Sequence, residues 1–141
     1  MSSKLDMLES MYASLKLEAR IDYHLNTLEN TYRLLRTKVA GEKRIGTIWY
    51  NTYELVDEAI VKLRMIKSLL AKYRYTGLYI HLTDALQLAN ELSIKVDSKV
   101  ALPSHKDNIR MIASEIAYEI RSIIKSTNKE PEPSSFYTKA F

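Results

Sequence analysis

Apolar side chains return every three or four residues along almost the whole chain, and that period constrains the fold more than any other feature. In the first segment Leu5, Leu8, Tyr12, Leu15 and Ala19 step by three and four. After a slip at Ile21 a second set follows as Leu25, Leu28, Tyr32, Leu35 and Val39. Such spacing lines one side of an α-helix, whereas on a strand the faces alternate with a period of two. Only 3 glycines and 3 prolines interrupt the 141 residues, too few for the turns of a many-stranded sheet. Charged residues make up 27% and hydrophobic ones 46%, the balance of a chain that buries a core.

The punctuation divides this pattern into four helices. The first starts near Ser2 or Ser3 and ends at "AGEKRIG" (40–46), which has glycine at both ends. Unbroken, it would run to about 55 Å, longer than its partners need, so the slip near residue 20 predicts either a bend or a stretch projecting beyond the rest. Thr47 is expected to cap a second helix carrying Trp49, Tyr53, Val56, Ile60, Leu63, Leu70 and Tyr73. A parallel line of Leu55, Ala59, Ile66 and Leu69 widens its face, and "RYTG" breaks it. The third helix is expected from about Leu78 to Val96. The fourth follows "DSKVALPSHK", with Ser104 as its cap and Ile109, Ile112, Ile116, Ile120 and Ile123 on one stripe. Short connections favour antiparallel neighbours, which predicts an all-α, up-down-up-down four-helix bundle over residues 1–127 with a long first helix. Residues 128–141, "NKEPEPSSFYTKAF", hold two prolines and no periodicity, and read as a flexible tail whose aromatics are expected either to dock on a neighbour or to stay solvated.

Much chemistry is missing. There is no cysteine, and His24, His81 and His105 do not pair with carboxylates at metal-ligand spacing. No glycine-rich phosphate loop and no nucleophile-plus-base pattern appears, so neither enzyme nor cofactor is expected. Arg74 and His81 fit the loose Arg-x(4 to 6)-His pattern of helical HEPN ribonucleases, across a helix break at Gly77. The bland alternative makes His81 a half-buried residue at a helix start. The first twenty residues hold Asp6, Glu9 and Glu18 and no continuous apolar run, which predicts neither a secretory signal nor a membrane span and suggests a cytoplasmic protein.

The chain carries a net charge of +4, gathered in two segments. Arg33, Arg36, Lys38, Lys43 and Arg44 surround the first turn. Lys62, Arg64, Lys67, Lys72 and Arg74 lie in "KLRMIKSLLAKYRYTGLY" (62–79), with no acid and with Tyr73, Tyr75 and Tyr79 among them. An antiparallel bundle puts Arg33 and Arg36 at one tip and Lys72 and Arg74 at the other. Cations near helix C-termini offset the macrodipole, which is reason enough for some of them. They also neutralise phosphates, and exposed tyrosines stack on unpaired bases. On that basis Arg33, Arg36, Lys43, Arg44, Lys72, Arg74 and Tyr75 are candidate contacts for RNA or DNA, while Tyr12, Tyr32, Tyr53 and Tyr73 fall on core stripes. The competing expectation is a structural or protein-interaction bundle, such as a viral coat or complex subunit, with no nucleic-acid role.

Three stretches in order resemble the accessory variability determinant family, the small helical partners of reverse transcriptases in diversity-generating retroelements. They are "EKRIGTIWYNTYELVDEAI" (42–60), "LQLANELSI" (86–94) and "ASEIAYEIRSIIKS" (113–126). Thr83 and Gln87 stand where the family has arginines, and Ala117, Ser122 and Ile123 where it has glycines and a tryptophan. A bundle family encoded in ribosomal RNA intervening sequences is similar in spacing. The resemblance implies a non-enzymatic protein that forms a homopentameric ring, binds a reverse transcriptase and engages RNA or DNA through basic surfaces, Arg44 being the basic residue carried by motif. It implies ring contacts through the doubled stripe of the second helix and through Tyr79 with Leu86.

Overall fold

In the computed structural model, which describes residues 2–41 and 46–127, four helices form an antiparallel bundle. They are α1 (Ser2–Gly41), α2 (Thr47–Thr76), α3 (Tyr79–Ser98) and α4 (Pro103–Thr127). Each packs on the next in sequence, and α1 also lies against α4, so the four close into a ring around one core. The all-helical reading and the up-down order therefore hold. Lys43 and Arg44, and the tail from residue 128, lie outside the described residues.

The core is built as the spacing of α2, α3 and α4 predicts. Leu55, Leu63, Ile66 and Leu70 of α2 are fully buried, with Leu82, Ala85, Ala89 and Leu92 of α3 and Ile112, Ile116 and Ile120 of α4. Each large side chain withdrawn from water contributes about 1.5–3 kcal/mol, which outweighs the modest helix propensity of the β-branched isoleucines in α4. Both lines of α2 are consumed by this core. The doubled stripe assigned to ring contacts is thus interior, apart from the partly buried Trp49, Tyr53 and Leu69.

Helix α1 departs from expectation. It is a single 40-residue helix, about 60 Å long at 1.5 Å per residue. Its buried side is formed by Ser10, Ser14, Leu17, Glu18, Ile21 and His24, and then, as the second set predicts, by Leu25, Leu28 and Leu35. The stripe Leu5, Leu8, Tyr12, Leu15 and Ala19 faces solvent instead, with Tyr12 64% exposed. At 100° per residue the two sets lie on nearly opposite sides of the helix. Polar residues spaced by four (10, 14, 18) therefore occupy the interior face, where α2 supplies partners for Ser14 and Glu18.

The junctions are simple. Thr47 is already helical and Gly46 is the cap, with no side-chain bond closing the turn. Gly77 ends α2 in the left-handed conformation at φ 71°, its N–H donating to Tyr73 O at 2.7 Å. A side chain there would be strained, which is why glycine suits the position. Helix α4 begins at Pro103, one residue before the expected cap Ser104, because proline fits the first helical position, where its missing N–H is not needed. The α3–α4 connection is tied to α2 by Thr52, whose hydroxyl accepts from Leu102 N at 2.8 Å and donates to Ile48 O at 2.6 Å. Asn51 adds a bond from Nδ2 to Val100 O at 2.8 Å.

Candidate nucleic-acid interface

The basic stretch 62–79 is an exposed row of cations in sequence and a set of interhelical ion pairs in three dimensions. Lys62 Nζ lies 3.4 Å from both Glu58 and Glu91. Arg64 pairs with Glu29, and Lys67 Nζ sits 2.6 Å from Asp22. Arg74 grips Glu18 with two donors, Nε at 2.7 Å and Nη2 at 2.9 Å. Apart from Glu58, one turn away on α2 itself, these acids come from α1 and α3, so the α2 cations stitch the bundle laterally. Of the five, Lys72 alone is exposed with no ion pair among the described residues.

Arg74 is the most committed. Its carboxylate partner is buried, the Glu18 side chain being 7% exposed, and Ser14 Oγ closes the group by donating to Leu70 O at 3.1 Å. The hydrogen bond to Glu18 raises the guanidinium pKa further above its already high ordinary value. A buried carboxylate needs this charge, since an unpaired anion in low dielectric costs several kcal/mol. The central guanidinium carbon, Cζ, lies 5.2 Å from the centre of the Tyr75 ring, a side chain 81% exposed. Across Gly77, His81 is half-buried in the first turn of α3, its backbone N–H donating to Leu78 O at 3.2 Å.

The α1 C-terminal tip is arranged differently. Arg33 and Arg36 are exposed and line an open groove with Thr37, Ala40 and Gly41. Among the described residues Arg33 donates to the neutral Oδ1 of Asn30 alone. Arg36 has no carboxylate partner among the described residues; its field is felt at Tyr53, whose hydroxyl bonds Tyr32 at 2.9 Å under a stacked pair of rings. That hydrogen bond, with partial burial, raises the Tyr53 pKa above its ordinary value. Lys38 lies over the Trp49 ring at 4.8 Å. Lys95 and Lys106, from α3 and α4, reach the same end without ion pairs among the described residues, whereas Lys99 and Arg110 are held by Glu54, Asp97 and Asp107.

The candidate residues do not converge. Arg33 and Arg36 stand level with the start of α2, since Tyr32 stacks on Tyr53, while Lys72, Arg74 and Tyr75 lie about twenty residues further down that helix. That is about 30 Å at the helical rise, so they form two separate surfaces.

A second polar cluster was missed by pattern reading. Arg20 Nε donates to Glu115 Oε2 at 2.6 Å across the α1–α4 seam, and His24 Nε2 lies 3.5 Å from the same oxygen. Arg20 chiefly, helped by His24 against partial burial, holds the Glu115 carboxyl below its ordinary value. The pair borders a groove of about 400 Å³ lined by Ala13, Lys16, Leu17, Arg20, Glu115 and Glu119. In sequence Arg20 and His24 stand one helical turn apart, but nothing local links them to Glu115, 95 residues away. Among the described residues no group of three or more metal-ligating side chains gathers, and no helix is long and apolar enough to cross a membrane. Comparison with protein-family models, with curated proteins and with solved structures returned no match.

Proposed function

We propose that this chain is a non-catalytic, self-associating adaptor that holds RNA or DNA for a partner enzyme. The similarity of residues 42–60, 86–94 and 113–126 to accessory variability determinants supports a reverse transcriptase as that enzyme and a homopentamer as the assembly. The observation that carries the reading is the α1 tip, where Arg33 and Arg36 line an open groove with no carboxylate on either guanidinium among the described residues. The helix C-terminus beneath them bears about half a negative charge, which two full positive charges exceed. Lys43 and Arg44 adjoin this tip in sequence and extend the proposed contact. Lys72 and Tyr75 form a lesser patch at the far end, and Arg74 shapes that patch by fixing Tyr75 while serving Glu18.

The test is salt-dependent binding of a single-stranded RNA and a single-stranded DNA. Each phosphate contact adds about 0.7 to the slope of log affinity against log salt, so Arg33→Glu with Arg36→Glu should flatten it by at least about 1.4. Binding that ignores salt, or a slope untouched by both reversals, overturns the proposal. A helical scaffold with no nucleic-acid role is the second reading, and the inward pairing of Lys62, Arg64, Lys67 and Arg74 is what favours it.

A further inference from the structure

The solvent face of α1 carries Leu5, Leu8, Tyr12 and Leu15 at 56%, 57%, 64% and 47% exposure, followed by the exposed Ala19. Their spacing is a strict three-four alternation, the narrow seam of a two-helix coiled coil rather than the wider stripe of a core-facing helix. The core lies on the opposite side of the same helix, so the bundle makes no use of this stripe. Gly77 ends α2 beside Met11, which leaves the first turns of α1 extending past the end of α2. The seam stops where Asp22 takes the next register position, and Asp22 is held by Lys67.

From this geometry we infer that a second copy of the chain covers the stripe, its α1 running antiparallel along the first. Charge is what selects this occupant. Glu9 and Lys16 are exposed, seven residues apart on one flank of the seam, and neither has an ion-pair partner among the described residues. Lys16 rests over the Tyr12 ring, 5.6 Å from its centre, at the edge of the seam. Turning the partner helix end for end sets each Glu9 against the other copy's Lys16, twice per pair, as an isologous two-fold contact demands. Tyr12 packs near the middle, where an aromatic side chain covers the most surface. The contact spans little more than two heptads, fewer than a self-sufficient coiled coil uses, so the pairing is reversible and concentration-dependent.

This contact is independent of nucleic-acid binding by the α1 C-terminal tip, which lies at the other end of the helix. The experiment is sedimentation equilibrium of the full chain across a hundredfold range of concentration. The mass should rise to twice that of the assembly formed by Leu8→Glu with Tyr12→Glu, whose helical circular dichroism should match the unsubstituted chain because neither residue enters the core. Glu9→Lys alone should shift association to at least tenfold higher concentration, and adding Lys16→Glu should restore it. Equal masses for the unsubstituted chain and the Leu8→Glu, Tyr12→Glu variant overturn the pairing, as does failure of the charge exchange to rescue. Phe136→Ser with Tyr137→Ser and Phe141→Ser should leave the mass unchanged; a rise would mean that the chain's own end occupies the stripe, and overturns it too. Salt-dependent RNA binding measured on the same variants stays as it was if the two functions are separate surfaces.

Discussion

Glu18 shows how one residue decides what its neighbours are available to do. Its carboxylate sits inside the bundle and takes both donors that Arg74 offers. Removing the two partners should not be equivalent. Arg74→Met strands a buried anion, while Glu18→Gln leaves a guanidinium that swings to solvent from a site already 25% exposed. Thermal unfolding should therefore rank the unsubstituted chain above Glu18→Gln and Glu18→Gln above Arg74→Met, with the double substitution recovering part of the loss. Equal midpoints for the two single variants would refute this asymmetry. Glu115 gives the pH counterpart. Arg20 lowers its carboxyl pKa below 4.5, so the stabilisation is present above pH 4.5 and disappears as pH falls through the depressed folded value. His24, Lys16 and Glu119 share the seam, but Arg20 makes the short contact. In urea titrations the gap between the unsubstituted chain and Arg20→Gln should be full near about pH 6 and close as the pH falls through the depressed folded value. A gap that persists in acid would assign the effect of Arg20 to packing.

At the scale of the helix, α1 separates what periodicity reveals from what it conceals. Helices α2 to α4 were legible because most of the apolar stripe that spacing picks out on each is the buried face, as with Ile109, Ile112, Ile116, Ile120 and Ile123 of α4. Over its first half α1 carries its cleaner apolar stripe on the outer face, while the inner face mixes Ser10, Ser14 and Glu18 with Leu17 and Ile21. Nothing in a single chain's spacing says which face meets α2. The observed facing is accompanied by a contact far along the sequence, Arg74 pairing with the inward Glu18. The same reasoning explains why Tyr73 was placed correctly and Tyr12 was not, since Tyr73 shares its stripe with Leu63 and Leu70. Two leucines of α1 test the observed facing directly. Leu28 is 1% exposed and Leu34 is 74% exposed. Leu28→Ala should cost about 2–5 kcal/mol in urea unfolding and Leu34→Ala no more than about 0.5. Similar costs at both positions would mean that α1 is rotated about its axis.

For the whole molecule, the question is which of its cations remain available to a polyanion. A net charge of +4 says little, because charge that is already paired contributes weakly to an external phosphate. The bundle divides its cations by location. Along the flanks, Lys62, Arg64 and Lys67 face carboxylates on adjacent helices. At the α1 tip, Arg33 and Arg36 face a groove. The candidate site was therefore half legible: sequence located the positive charge, but pairing between side chains 29 to 56 residues apart carries no local signature. The division has a measurable consequence on heparin, a polyanion that any unpaired basic surface retains. Arg64→Gln with Lys67→Gln removes two positive charges from the flank, and Arg33→Gln with Arg36→Gln removes the same number from the tip. Net charge alone would move both variants to the same lower elution salt. If location governs, the tip variant elutes clearly earlier while the flank variant elutes close to the unsubstituted chain and loses stability instead, because Glu29 and Asp22 are left without their partners. Each exposed pair is worth about 1 kcal/mol at most, so that loss should be small and largest at low salt. Equal shifts on heparin would show that the protein presents diffuse charge and no interface, and the adaptor reading would give way to the scaffold.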